Sequence, residues 1–143
     1  MTEVLKRKNI ITGCVTEGHE DVIRRTGAML VAEGYVGENY ITGMLKRDRD
    51  FSTAIGNGIA IPHGTKEFKN DIIATGLVVL TYPQGVAWND GIVKLVVGIA
   101  AKGDEHIEIL ERLVEAFEDE SAVDEIVAAA DAEKIYQVLT QGN

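Results

Sequence analysis

Two long apolar runs constrain this chain more than anything else in it: Ile72-Ile73-Ala74-Thr75-Gly76-Leu77-Val78-Val79-Leu80-Thr81 and Ile92-Val93-Lys94-Leu95-Val96-Val97-Gly98-Ile99-Ala100-Ala101. Neither alternates apolar with polar residues, so each reads as a strand buried on both faces. Pro83-Gln84-Gly85 is predicted to turn the chain after the first run. Trp88-Asn89-Asp90-Gly91 makes a second turn, of the kind that joins antiparallel strands. The two runs are therefore expected to be neighbours at the centre of a sheet, with Trp88 covering one end.

Asn9–Val15 is predicted to be a first strand. Acidic residues in Glu17-Gly18-His19-Glu20-Asp21 then sit where a helix start favours them. Ile23, Gly27, Leu30 and Val31 follow at helical spacing, with Gly34 as the stop, and the small Gly27 leaves room for a close neighbour. His19, in the first turn, reads as a solvated helix-end residue. A second helix is expected from about Asn39 to Asp48, with Tyr40, Ile41, Met44 and Leu45 on its apolar side and Arg47 at the edge of that stripe. Taken alone, Arg47 is a surface arginine with its stem laid on the core. Ser52 and Thr53 are expected to cap turns.

Beyond the second long run, Asp104 reads as the N-cap of a helix with Ile107, Leu110, Val114 and Phe117 as its apolar stripe. His106 then falls in the first helical turn, where the dipole and unpaired N–H groups favour a nearby anion. The residues alone leave two readings of His106 open: a helix-end side chain without a role, and a ligand-binding group at a strand-to-helix junction. Ser121-Ala122-Val123-Asp124 resembles a capping box for a helix through Ala130, and Asp131 is expected to cap a last helix carrying Ile135, Val138 and Leu139. The acidic runs Glu118-Asp119-Glu120 and Asp124-Glu125 read as solvated faces.

The 143 residues suit one domain spanning 1–143. A net charge of −9 argues against non-specific binding to nucleic acid or anionic membrane, and favours a partner with a basic face. One cysteine, Cys14, excludes an internal disulfide and a cysteine-rich metal site. With no apolar run long enough to span a bilayer and no apolar core in Met1–Lys8, the expected location is the cytoplasm.

Chemistry concentrates in Gly56-Asn57-Gly58-Ile59-Ala60-Ile61-Pro62-His63-Gly64-Thr65. One or two short strands are expected here. Pro62 fixes its own φ and biases Ile61 to extended geometry, so a stiff segment presents His63. Asn57 reads as a turn residue that could also donate to a phosphate, and Thr65 adds a hydroxyl two residues beyond the imidazole.

This segment resembles the phosphorylation-site motif of bacterial phosphotransferase system (PTS) enzyme IIA proteins of the mannitol/fructose family. Gly76–Leu80, Pro83–Trp88 and Val96–His106 are similar to the stand-alone mannitol-specific members. The resemblance implies an α/β fold with a partly parallel, mixed five-stranded sheet flanked by helices on both faces. It implies that His63 carries the phosphoryl group, that Arg47 contacts that group, and that His106 is the second active-site histidine. Asn57, Gly64 and Thr65 are expected to support the phosphate. The implied donor is the phosphohistidine carrier HPr, and the implied acceptor is the IIB domain of a mannitol permease. No cofactor and no metal are required.

A nucleotide-binding P-loop, a dinucleotide-binding glycine fingerprint and a serine-nucleophile elbow are all missing from the sequence, which speaks against those reaction classes. Two rivals remain. One is a fructose-specific or nitrogen-regulatory module that reports its phosphorylation state to other proteins. The other, more remote, is a metal-dependent hydrolase using His63, His106 and nearby carboxylates.

Overall fold

The structure, a computed structural model, describes residues 4–89, 91–104 and 106–141. Asp90 of the second turn, Glu105 of the loop before His106 and Met1–Glu3 lie outside the described residues. In chain order the elements are β1 (Leu5–Ile11), α1 (His19–Ala32), α2 (Asn39–Asp50), β2 (Ala54–Gly56), β3 (Ile59–Ala60), β4 (Gly76–Trp88), β5 (Gly91–Ala100), α3 (Ile107–Ala116), α4 (Glu120–Ala129) and α5 (Ala132–Gln141). A short 3₁₀ turn, Lys66–Asp71, follows β3.

The five strands form one mixed sheet in the order β1-β4-β5-β3-β2. β1 runs parallel to β4 and β3 parallel to β5, whereas β4–β5 and β2–β3 are antiparallel. Side chains alternate across it as a pleated strand requires. Leu77, Val79, Leu95 and Val97 pack with Ile109 and Leu113 of α3, Val123 of α4 and Ile135 and Leu139 of α5. Val78, Leu80, Tyr82 and Val96 face Val22, Ile23 and Leu30 of α1 and Tyr40 and Met44 of α2. Both faces are therefore covered, and the two long runs stand side by side at the centre.

Several boundaries move, each for a physical reason. β1 starts at Leu5, well before Asn9, because it is an edge strand that tolerates the charges of Lys6, Arg7 and Lys8, which pair with Glu33 and Glu133. β4 starts at Gly76; Ile72 instead makes an isolated bridge to Val36. Pro83-Gln84-Gly85 does not reverse the chain. It forms a bulge inside β4, where the register shifts between Thr81 and Val86 and Gly85 takes φ +81°. The parallel ladder to β1 has ended at Leu80, so Pro83 has no partner there to lose.

The tight turn after Trp88 does join β4 to β5, with Trp88 opposite Gly91. α4 is capped by Asp119, not Ser121: its Oδ1 accepts from the Ala122 N–H at 2.9 Å and the Ser121 hydroxyl at 2.7 Å. Asp131 caps α5 by accepting the Lys134 N–H at 3.1 Å. Gly27 has the expected close neighbour, since a Cβ there would stand 2.6 Å from Ile41.

Candidate active site

β3 lies parallel to β5, and where it runs out the Pro62 carbonyl accepts the Ile99 N–H at 2.9 Å. This pins the chain at the C-terminal end of β5 and places His63 beside it. Nδ1 of His63 is 2.7 Å from the Ile61 carbonyl oxygen. A carbonyl only accepts, so Nδ1 carries the proton and Nε2 keeps its lone pair. Burial holds the imidazole below the ordinary histidine range, with the Ile61 carbonyl opposing and the electrostatics of Arg47 and His106 pushing further down. The structure thus brings Arg47, in the last turn of α2, and His106, at the start of α3, within electrostatic reach of His63.

Arg47 donates from Nη1 to the Phe51 carbonyl at 2.5 Å and lies 5.9 Å from the centre of the Phe51 ring. It has no carboxylate partner among the described residues. His106 is the N-cap residue of α3, one position before the helix proper. Asp104 does not cap: its carbonyl accepts the Ile107 N–H in the preceding turn. Nδ1 of His106 is buried and has no hydrogen-bond partner among the described residues. A proton there would leave a buried donor unsatisfied, so the geometry favours the tautomer with the proton on Nε2.

The three residues expected to support a phosphate do not stay together. Gly64 admits the Tyr40 ring, which a Cβ would meet at 2.6 Å, and its N–H already donates to the Tyr40 hydroxyl at 2.9 Å. That amide is therefore not open to a ligand. Thr65 precedes the 3₁₀ turn, and its buried hydroxyl has no partner among the described residues. Asn57 is removed from the group altogether. It occupies the β2–β3 turn with φ 56° and donates from Nδ2 to the Glu118 carbonyl at 2.8 Å. Gly58, next to it, accepts from the Lys94 and Leu95 N–H groups near the start of β5. At ~3.3 Å per residue, that is roughly 15 Å along the sheet from Ile99 and the His63 loop.

One polar residue escaped the sequence reading, and the expectation for another is corrected. Asp48 is buried, and its Oδ1 accepts from the Thr53 N–H (2.9 Å), the Thr53 hydroxyl (2.7 Å) and Trp88 Nε1 (3.0 Å). His19 is not merely solvated: its Nε2 lies 3.5 Å from the other Asp48 oxygen, and its ring sits 5.4 Å from that of Trp88. The signal for Asp48 was present, since Tyr40, Met44 and Asp48 are spaced by four on one helix face. Tyr40 was read as apolar stripe, yet its hydroxyl also donates to the Ile99 carbonyl at 2.9 Å.

The expected α3 stripe holds only in part: Phe117 is buried and Leu110 packs partly buried against the core. Ile109 and Leu113 face the core, whereas Ile107 and Val114 are 48% and 58% exposed. With Leu110, Glu111 and Glu115 they line an open groove directly beyond His106.

Relatives bear on this site. A mannitol-specific phosphotransferase enzyme IIA component of Staphylococcus aureus is 41% identical over 143 residues, covering all of this chain and 99% of that protein. The crystal structure of IIA mannitol from Escherichia coli superposes with a TM-score of 0.83 at 36% identity, over 94% of this chain and 98% of that one. A complex of Escherichia coli enzyme IIA mannitol with phosphorylated enzyme IIB mannitol matches equally, with a TM-score of 0.83 and coverage of 94% and 97%. Residues 3–142 match the model of the phosphoenolpyruvate-dependent sugar phosphotransferase system EIIA 2 family, and the chain belongs to that family.

Proposed function

We propose that this chain is the mannitol-specific phosphocarrier of its transport system, taking a phosphoryl group from phospho-HPr on Nε2 of His63 and passing it to a IIB domain. The observation that carries this reading is the 2.7 Å bond from Nδ1 of His63 to the Ile61 carbonyl, which leaves a neutral, oriented lone pair on Nε2. In the first step that lone pair attacks phosphorus. The P–N bond of the donor phosphohistidine breaks, and its electron pair returns to the donor imidazole. In the second, a nucleophile of IIB attacks the same phosphorus and the Nε2–P bond breaks. The bond made and the bond broken in the first step are both phosphoramidates, so alignment and charge neutralisation are what the protein must supply.

Arg47 would swing its guanidinium from the Phe51 carbonyl to the phosphoryl oxygens, a planar fork matched to two of them. Nε2–H of His106 donates to another oxygen, and the unpartnered Thr65 hydroxyl is a further candidate donor. The exposed apolar side chains Phe51, Ile73, Ile107 and Val114 fit a docking rim. Phe51 follows α2 and its carbonyl accepts from Arg47, the Ile73 carbonyl accepts from Lys102 just beyond β5, and Ile107 and Val114 lie on α3 behind His106. Glu108, Glu111 and Glu115 on the exposed side of α3 suit a basic partner such as HPr. Among the described residues no helix is long and apolar enough to cross a membrane, and a cytoplasmic location accords with these partners.

The test is mass spectrometry after incubation with phosphoenolpyruvate, enzyme I and HPr, comparing wild type with His63→Ala, followed by addition of a mannitol or a fructose IIB domain. An acid-labile phosphoryl adduct on wild type alone, discharged by the mannitol IIB, is the expected result. No adduct in the presence of demonstrably phosphorylated HPr would sink the proposal.

A further inference from the structure

We propose that Tyr40 is a positioning residue for phosphoryl transfer, its hydroxyl tying the backbone just after His63 to the end of β5. The inference rests on His63 being the phosphoryl acceptor. Ile99 is the shared anchor. Its N–H donates to the Pro62 carbonyl, before His63, and its carbonyl accepts the Tyr40 hydroxyl, which in turn accepts the Gly64 N–H, after His63. The peptide units on either side of the nucleophile are thus held by one residue of a central strand, directly on one side and through a phenol on the other. The imidazole itself is held by Ile61. Together these three attachments leave Nε2 one direction in which to point.

The tyrosine hydroxyl is more than packing requires. Tyr40 is 2% exposed on the apolar stripe of α2, and Phe would fill the same ring volume against Gly64. A buried hydroxyl without partners is costly, but here it both donates and accepts, each bond at 2.9 Å. Burial raises the phenol's pKa above its ordinary value, so the donated proton stays in place across the working pH range. No other described group takes the Gly64 amide. Losing the hydroxyl would leave that amide unsatisfied and the His63–Gly64 peptide able to rotate.

The first test needs no variant. Amide hydrogen exchange in wild type should show Gly64 protected comparably to Ile99, and a Gly64 amide exchanging at the rate of an open loop would overturn the proposal. The second compares Tyr40→Phe with Tyr82→Phe, which removes another buried hydroxyl, one that donates to Glu17 at 2.7 Å near the middle of β4. In Tyr40→Phe, ¹⁵N spectra of His63 should change from a single Nδ1–H tautomer to a mixture. Transfer from phospho-HPr should slow between about tenfold and a hundredfold, the scale of a small misalignment of reacting atoms. Tyr82→Phe should leave both as in wild type. An unchanged rate or an unchanged spectrum in Tyr40→Phe, or equal slowing in both variants, overturns it. If wild type accepts no phosphoryl group at all, the proposed function fails, while exchange and the tautomer spectrum still judge the hold of Tyr40 on His63.

Discussion

α2 contributes to two polar clusters that are built alike and finished differently. Around Asp48, one carboxylate oxygen accepts three hydrogen bonds and the other faces His19, so each donor aimed at the pair has its acceptor. Around His63, one ring nitrogen is tied down, but its Nε2 lone pair, Nδ1 of His106 and the Thr65 hydroxyl have no partner among the described residues, and Arg47 rests on an exposed carbonyl. Buried polar groups are ordinarily satisfied, and one that is not calls for a ligand or a cost in stability. The Asp48 cluster therefore reads as a clasp holding the end of α2 to Thr53 and Trp88. The His63 cluster is left with the open partners that the proposed phosphoryl group would fill.

The contrast can be broken from either side. The largest effect is expected from His63→Ala, which should reduce phosphoryl acceptance from phospho-HPr to background in a gel or mass assay, with chemical denaturation nearly unchanged. Acceptance retained in that variant would move the nucleophile elsewhere. Asp48→Ala should do the reverse. Stranding the Thr53 and Trp88 donors should cost about 3 kcal/mol or more. For a chain of this length that lowers the melting temperature by about 10 °C. Asp48→Asn, which keeps one carbonyl oxygen, should recover much of this in urea titrations, and equal losses in both would mean the charge matters more than the acceptor.

Arg47→Lys keeps a charge but loses the fork. Transfer should slow by about tenfold to a hundredfold with a change in stability below about 0.5 kcal/mol. Rapid-quench measurements with saturating phospho-HPr separate this from weaker docking.

The smallest effect is a pH slope. His63 has a depressed pKa in the folded protein, so the unfolded chain binds its proton more readily and stability rises with pH through the window between them. The contribution is complete above the unfolded value of about 6.5 and is lost as pH falls through the window. Denaturation midpoints between pH 5 and 7.5 should fall less steeply with acid in His63→Ala than in wild type. Acceptance of the phosphoryl group should likewise persist to more acid pH than an ordinary histidine would allow, because the depressed pKa keeps the His63 imidazole neutral further down.

Much of the molecule was legible before folding. The two long apolar runs became β4 and β5, paired at the centre, because strands covered on both faces have no polar side to display. The His63 segment was also legible, since Pro62, Gly64 and the short apolar stretch impose their geometry through bonds and local sterics. Position was harder to read where a residue serves two masters. α3 carries two apolar stripes, Ile107-Leu110-Val114 and Ile109-Leu113, and helical period alone could not choose between them. Packing against α5 and the sheet buried the second, leaving Ile107 and Val114 of the first exposed beside His106 while Leu110 packs partly buried against the core.

The same division holds for the site. The sequence by itself determined the histidine, its stiff presentation and the extended strands that carry it, all consequences of interactions within a few residues. Only the tertiary structure decided that Pro83–Gly85 is a bulge, that Asn57 lies at the opposite end of β3 from His63, that Asp48 is clasped by Trp88 forty residues away, and that Tyr40 reaches Gly64 and Ile99. Hydrogen bonds of that span depend on which backbone ends a fold brings together. That is set by the packing of α1 and α2 on one face of the sheet and α3, α4 and α5 on the other, and leaves no period in the chain to read.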